Sequence, residues 1–295
     1  MLGIFYALIT VLAWGTWLAP SQNVPFKNQQ IKMFYVAIAS LVLSFFVTLP
    51  QGFDQITAEV FWPPFIGGLI WAVSGYCAFT ATHKIGMARA SGIWSPLNIV
   101  VSLFWGATIF NEFLNTGTGS LIVLIASVTV IIIGVLLIIF AKGRGDMIRN
   151  RHDLTIGVLG AIGAGILWGS YFIPIKQSEV SLWIATFPLT IGIFVGSTVL
   201  MLLGRQSPRL EKRGDYALVS LSGVLWGIGN YAMLLLTNEI GAGRGFTIAQ
   251  LAVVVNALIG VYWLRDPQPK TRAATLTLIG CVLAMFGGVA LGNLK

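Results

Sequence analysis

Residues 121–141 read LIVLIASVTVIIIGVLLIIFA, twenty-one positions without one charged side chain. A helix of that length rises about 30 Å, the thickness of a bilayer's hydrocarbon core. An outer-membrane strand would alternate apolar and polar residues over about ten positions, and this run does not alternate. It reads as a membrane-spanning helix, and the rest of the chain agrees. Of 295 residues, 56% are hydrophobic and 9% charged, against roughly 25% charged in soluble domains. The fold class expected is all-α integral membrane, because lipid leaves the backbone no outside hydrogen-bond partner.

Apolar runs bounded by charges, Pro and Gly mark ten transmembrane helices, near 3–22, 31–49, 60–83, 88–110, 120–141, 154–175, 183–204, 215–237, 244–264 and 272–292. The longest polar stretch, Lys142 to Asp153, divides the chain almost in half. Shifting the chain against itself by 154 residues sets Trp14-Gly15-Thr16-Trp17 and Pro20 on Trp168-Gly169-Ser170-Tyr171 and Pro174. At an offset of 155, Trp71, Tyr76, Ile85-Gly86 and Arg89 fall on Trp226, Tyr231, Ile240-Gly241 and Arg244; back at 154, Gly106 and Glu112 fall on Gly260 and Asp266. The organisation expected is a first five-helix repeat over 1–142, a cytoplasmic linker over 143–153 and a second repeat over 154–295. Five is odd, so the second copy enters the membrane from the opposite side, as inverted repeats do in secondary transporters.

The net charge of +8 invites a nucleic-acid reading, but the basic residues sit in short gaps between spans, where they act as topology signal. Fifteen of the eighteen Lys and Arg fall in alternate gaps and three, Lys176, Arg244 and Lys295, on the other face. That asymmetry predicts an inner-membrane, multi-pass protein with both termini extracytoplasmic. The first run has no basic residue before it and carries bulky Trp14 and Trp17 where a cleavage site needs small residues, so it is expected to remain. Cys77 and Cys281 lie inside apolar runs, where a structural disulfide has little use.

Enzymatic constellations are missing. The only histidines, His83 and His152, lie near span ends, and no metal-ligand spacing, nucleophile–base pair or Walker loop occurs. Gly241-Ala242-Gly243-Arg244-Gly245 matches Gly86-Met87-Ala88-Arg89-Ala90, which reads as a tight hairpin rather than a phosphate loop. Neither a metal nor a cofactor is expected. What remains is a neutral polar lining. Ser91, Ser95, Asn98 and Ser102 are spaced 4, 3 and 4, one stripe of a helix, and such a stripe faces either neighbouring helices or a wet cavity. Pro96 removes a backbone donor beside it, which points to a kinked or broken helix. In the equivalent span nine only Asn256 stays polar on the stripe, with Gln250 one position off it.

Trp14 with Trp17 and Trp168 with Tyr171 stand three apart, and Trp71 with Gly75 and Trp226 with Asn230 four apart, each set on one helix face. Trp62 and Trp263, near span ends, read as interface anchors. Deeper indoles combined with amides and hydroxyls suit a sugar, whose C–H faces stack and whose hydroxyls both donate and accept; a nucleoside or aromatic amine fits the same set. The substrate-binding candidates are Trp14, Asn98, Trp168, Trp226, Asn230, Gln250 and Asn256. Glu112, Asp266, Glu239, Arg89 and Arg244 are candidates for gating or proton coupling from near the surface. Gly280, Ala284, Gly288 and Gly292 form a small-residue seam, either internal or the contact of a homodimer; Gly157, Ala161 and Gly165 repeat the pattern.

Trp168-Gly169, Leu225-Trp226-Gly227-Ile228-Gly229-Asn230 and Gly245-Phe246-Thr247-Ile248-Ala249-Gln250, with the ten spans in two halves, resemble the bacterial glucose/ribose porter family within the drug/metabolite transporter superfamily. Ala72 and Gly75 stand where the second copy has Gly227 and Asn230. The resemblance implies proton-driven uptake of a monosaccharide across the inner membrane. The superfamily also includes exporters of amphipathic amines, amino acids and aromatic metabolites, which remain the alternative on this fold. A receptor or scaffold without transport is the alternative of another class.

Overall fold

The computed structural model describes residues 2–109, 117–141, 151–177, 182–205, 207–240 and 248–292. The described elements are helical: α1 (Leu2–Thr16), α2 (Gln29–Thr48), α3 (Ala58–Ile85), α4 (Met87–Thr108), α5 (Thr118–Ile139), α6 (Arg151–Trp168), α7 (Ile173–Gln177), α8 (Leu182–Leu203), α9 (Arg213–Ile240), α10 (Ala252–Leu258) and α11 (Arg272–Gly292). Short 3-10 turns follow α1 and α2, and a π-helical turn, Ile259–Trp263, continues α10. Glu112 and Arg244, most of the 143–153 linker and the Gly241–Gly245 run lie outside the described residues.

Among the described residues, eight helical segments are long and apolar enough to cross a membrane; the sequence reading expects ten. The two that fall short are spans four and nine. α4 has the length, 22 residues, but carries Arg89, Ser91, Ser95, Asn98 and Ser102. The span-nine helix is apolar but described only over Ala252–Trp263. The long segments make this a multi-pass membrane protein, and exposed Leu2, Phe5, Leu8, Leu203 and Phe286 present apolar surface outward. Trp62 and Trp263 also stand exposed, as interface anchors would.

Buried hydroxyls bond back to their own helices, as with Ser40 Oγ to Val36 O at 2.8 Å and Ser197 Oγ to Ile193 O at 2.6 Å. This satisfies them where lipid offers no partner. Asn28 Oδ1 caps α2 by accepting from Gln30 N at 3.0 Å. Asn28→Ala should lower stability by about 1 kcal/mol, read as a fall in the thermal midpoint of the solubilised protein. Gly86 alone joins α3 to α4 at φ +83°, so the hairpin reading holds there. α4 runs through Pro96 without a break, so of the kinked or broken helix expected there the broken form does not occur.

Helix contact is closest at small residues. A Cβ on Gly280 would meet Ile138 Cγ1 at 2.6 Å, one on Gly134 would meet Ala284 N at 2.9 Å, and one on Gly287 would meet Ser127 O at 2.7 Å. Of the small-residue seam of α11, Gly280 and Ala284 are thus packed on α5 and Gly288 on Ile99 of α4, contacts within the chain. Gly157 and Gly165 likewise close on Ile85 and Leu97. The count of basic residues also needs correcting, because Lys32 and Arg89, two of the fifteen read as loop charges, are buried.

Candidate functional site

The functional side chains converge where α1, α3, α4, α6, α9 and α10 meet. A cavity of about 70 Å³ lies there, lined by Trp14, Trp17, Trp71, Trp94, Ser95, Asn98, Trp168, Tyr171, Trp226, Gln250, Ala252 and Asn256. That space holds on the order of five waters. Among the described residues no carboxylate and no cationic side chain lines it.

The indoles form one connected wall. Trp71 and Trp226 are 4.6 Å apart between ring centroids, Trp71 and Trp168 5.7 Å, Trp17 and Trp168 6.2 Å, and Trp94 meets Trp168 edge-on at 5.4 Å. Glycines allow this packing. A Cβ on Gly229 would lie 2.7 Å from Trp14 Nε1, and one on Gly169 would lie 2.7 Å from Val101 Cβ. This is a physical reason for the glycines inside the Trp-Gly-Ile-Gly and Trp-Gly runs. Trp14 Nε1 donates to Trp226 O at 3.3 Å, and Asn256 Nδ2 donates to Trp14 O and to Ala252 O, each at 3.2 Å. Two buried groups in the lining have no partner: Trp168 Nε1, a donor, and Asn256 Oδ1, an acceptor. Their residues are 7% and 4% exposed. A buried unpaired group is expensive, and both residues belong to the cavity lining.

The polar stripe of α4 divides between its two readings. Ser91 Oγ is spent on Ala88 O at 3.3 Å and Ser102 Oγ on Asn98 Oδ1 at 3.3 Å, whereas Ser95 and Asn98 line the cavity. Ser95 and Gln250 also border a second space of about 10 Å³ toward α11, so they stand in the partition between the two.

Of the expected binding residues, Trp14, Asn98, Trp168, Trp226, Gln250 and Asn256 come together here. Asn230 is buried but is not among the lining residues. Arg89 is buried in the first turn of α4, and a Cβ on Gly86 would meet the Asp266 carboxyl oxygen at 2.7 Å. These two gate candidates therefore sit at the same end of α4. Glu239 is exposed near the end of α9. Trp17, Trp94, Ser95 and Tyr171 line the site without having been chosen from the sequence. Signals for each were present: Trp17 shares a face with Trp14, Tyr171 stands 154 residues after Trp17, and Trp94 and Ser95 lie four and three before Asn98 and one turn from Ser91. Lys32 gave no signal of this kind. Its side chain is buried against Phe79 and Phe26, next to the cavity wall.

A family model described as "Sugar transport protein" matches residues 5–294. A "Putative sugar uptake protein" of Listeria monocytogenes is 25% identical over 297 residues, covering all of both chains. Proteins of the same description from Bacillus anthracis and Enterococcus faecalis are each 26% identical, again over the full length of both chains. A solved crystal structure aligns over 99% of this chain and 97% of its own with a TM-score of 0.63 at 16% identity, a likeness of fold.

Proposed function

The chain belongs to the sugar transport protein family, transporters rather than enzymes, and from that premise we propose that it takes up a monosaccharide through the tryptophan-lined cavity. The observation that carries this reading is the lining itself, six indoles with the amides of Asn98, Gln250 and Asn256, of which Trp168 Nε1 and Asn256 Oδ1 are buried without a partner. A sugar hydroxyl donates and accepts, and the ring's C–H face stacks on indole. An amine would want a carboxylate, and the described residues of the lining include none. Trp14, Trp168 and Trp226 supply the faces; Asn98, Gln250 and Asn256 orient hydroxyls.

The carrier works by rocking two inverted five-helix halves, residues 1–142 and 154–295, about this cavity. Contacts related by the repeat offset support that architecture. Gly15 closes on Val255 and Gly169 on Val101, each residue 154 positions from its equivalent. Gly68 closes on Leu189 and Gly223 on Val36. α3 packs on α6 as α9 packs on α1, and α5 packs on α11. With the basic residues of the loops facing the cytoplasm, both termini would lie outside an inner membrane.

Uptake of labelled monosaccharides into proteoliposomes, with and without an imposed pH gradient, tests the reading. Saturable uptake of one sugar is expected, and its stimulation by an inward proton gradient would mark symport. Asn98→Ala should weaken that sugar's binding by roughly tenfold with little change in thermal midpoint. A protein that moves none of a broad monosaccharide panel, or an Asn98→Ala form with unchanged affinity, would contradict it.

A further inference from the structure

Behind the partition formed by Ser95 and Gln250 lies the second space, an annex of about 10 Å³ between α4, the start of α10 and α11. Its other described lining residues are all apolar, among them Pro96, Ile99, Leu251, Val253, Met285 and Gly288. The annex therefore differs in kind from the cavity it adjoins. The cavity offers indole faces and the amides of Asn98, Gln250 and Asn256, whereas the annex offers hydrocarbon, with Ser95 and Gln250 at its mouth.

A space of this size holds one small group. A buried water needs about two to four polar partners, and here it would draw on Ser95 and Gln250 alone, which already serve the cavity. A methyl group needs no partner and gains by leaving water. Position 288 keeps the room open. A Cβ on Gly288 would meet the Cδ1 tip of Ile99 at 2.6 Å, so any larger residue there would push its side chain toward the annex.

A polar cavity that ends in an apolar annex for a single group distinguishes between monosaccharides at one position. A hexose carries a hydroxymethyl group on the edge of its ring, and its O6 would bring a second heavy atom into the annex and lose its hydrogen bonds there. A 6-deoxyhexose carries a methyl group at the same place, beside ring hydroxyls that Ser95 and Gln250 can meet at the mouth. We propose that the annex is a methyl subsite and that the preferred solute is a 6-deoxyhexose, its ring in the tryptophan-lined cavity and its C6 methyl between α4, α10 and α11. This rests on the monosaccharide reading above and narrows it.

The test is calorimetric titration of the full chain in lipid nanodiscs with matched pairs: 6-deoxy-D-glucose against D-glucose, 6-deoxy-D-galactose against D-galactose, and 6-deoxy-L-mannose against L-mannose. The members of a pair differ by one oxygen, so ring stereochemistry cancels. In the pair whose ring the cavity accepts, the 6-deoxy sugar should bind about tenfold tighter or more. Gly288→Ala, whose added methyl takes up the annex, should bring that pair to within about twofold. A hexose that binds as tightly as its 6-deoxy counterpart overturns the subsite and leaves the carrier reading standing. Binding of none of these sugars also overturns the subsite, and the uptake panel above then decides the carrier. A Gly288→Ala form that keeps the full preference removes the methyl from the annex. The wild-type comparison holds whether or not that variant folds.

Discussion

Gly192→Leu should leave almost no folded protein in the membrane fraction, while Gly214→Leu should accumulate like the wild type. Gly192 on α8 faces Gly68 on α3. A Cβ at 192 would lie 2.9 Å from the Phe65 carbonyl carbon and 3.0 Å from Gly68 Cα, and one at 68 would lie 2.8 Å from Gly192 Cα and 2.8 Å from Ile193 N. Every obstacle is backbone, so no side chain can swing aside. The helices must separate, and the remaining α3–α8 contacts open with them. Overpacking a tight core costs about 1–3 kcal/mol where side chains can adjust, so Gly192→Ala should already sit at about 3. Leucine goes beyond that, against a total stability of only about 5–15 kcal/mol. Around Gly214 there is nothing within 4 Å, which makes it the internal control. Size-exclusion profiles of the solubilised proteins report the result. Equal recovery of both variants would mean that α3 and α8 do not approach this closely.

The same seams show why part of the structure could be read in advance. A charge-free run such as 121–141 leaves one physical option in lipid, and α5 occupies Thr118–Ile139. Hydropathy is weak at α4 because lining a polar cavity puts Asn98 and Ser95 where lipid-facing residues would score, whereas the span-nine helix is apolar over its described residues, Ala252–Trp263. The weakest span signal therefore coincides with the site. Recurrence at the offset of 154–155 residues singled out Trp14, Trp168 and Trp226, and all three line the cavity. Periodicity assigns a residue to a face of its own helix but not to a neighbour, which is how Asn230 was chosen although it does not line the cavity. The small-residue pattern of α11 reads the same whether the opposing helix belongs to this chain or another. Lys32 was misread for a different reason. A lysine four residues into a span ordinarily snorkels to the headgroups, and nothing local announces that Phe26 and Phe79 close over it.

Trp168→Ala should abolish measurable sugar binding, and Trp168→Phe should separate the two reasons. The indole of Trp168 touches Trp17, Trp71 and Trp94, so removing it collapses or floods the wall on which a sugar ring would stack. Truncations of this size cost about 3–5 kcal/mol in a packed interior, and the thermal midpoint should fall accordingly. Phenylalanine keeps a stacking face and deletes the unpaired Nε1–H. An unsatisfied buried donor costs about 1–3 kcal/mol, so its loss offsets the smaller ring's poorer packing and the midpoint should stay close to wild type. Binding should still weaken, by roughly three- to tenfold, the worth of about 0.5–1.5 kcal/mol for one neutral hydrogen bond. A donor serving the fold would give the opposite pattern, stability lost and affinity kept. Trp62→Phe, on the exposed surface, should change neither. Calorimetric titration with the transported sugar, alongside the thermal midpoints, distinguishes the cases. Full affinity in both Trp168 variants would move the solute site elsewhere in the molecule.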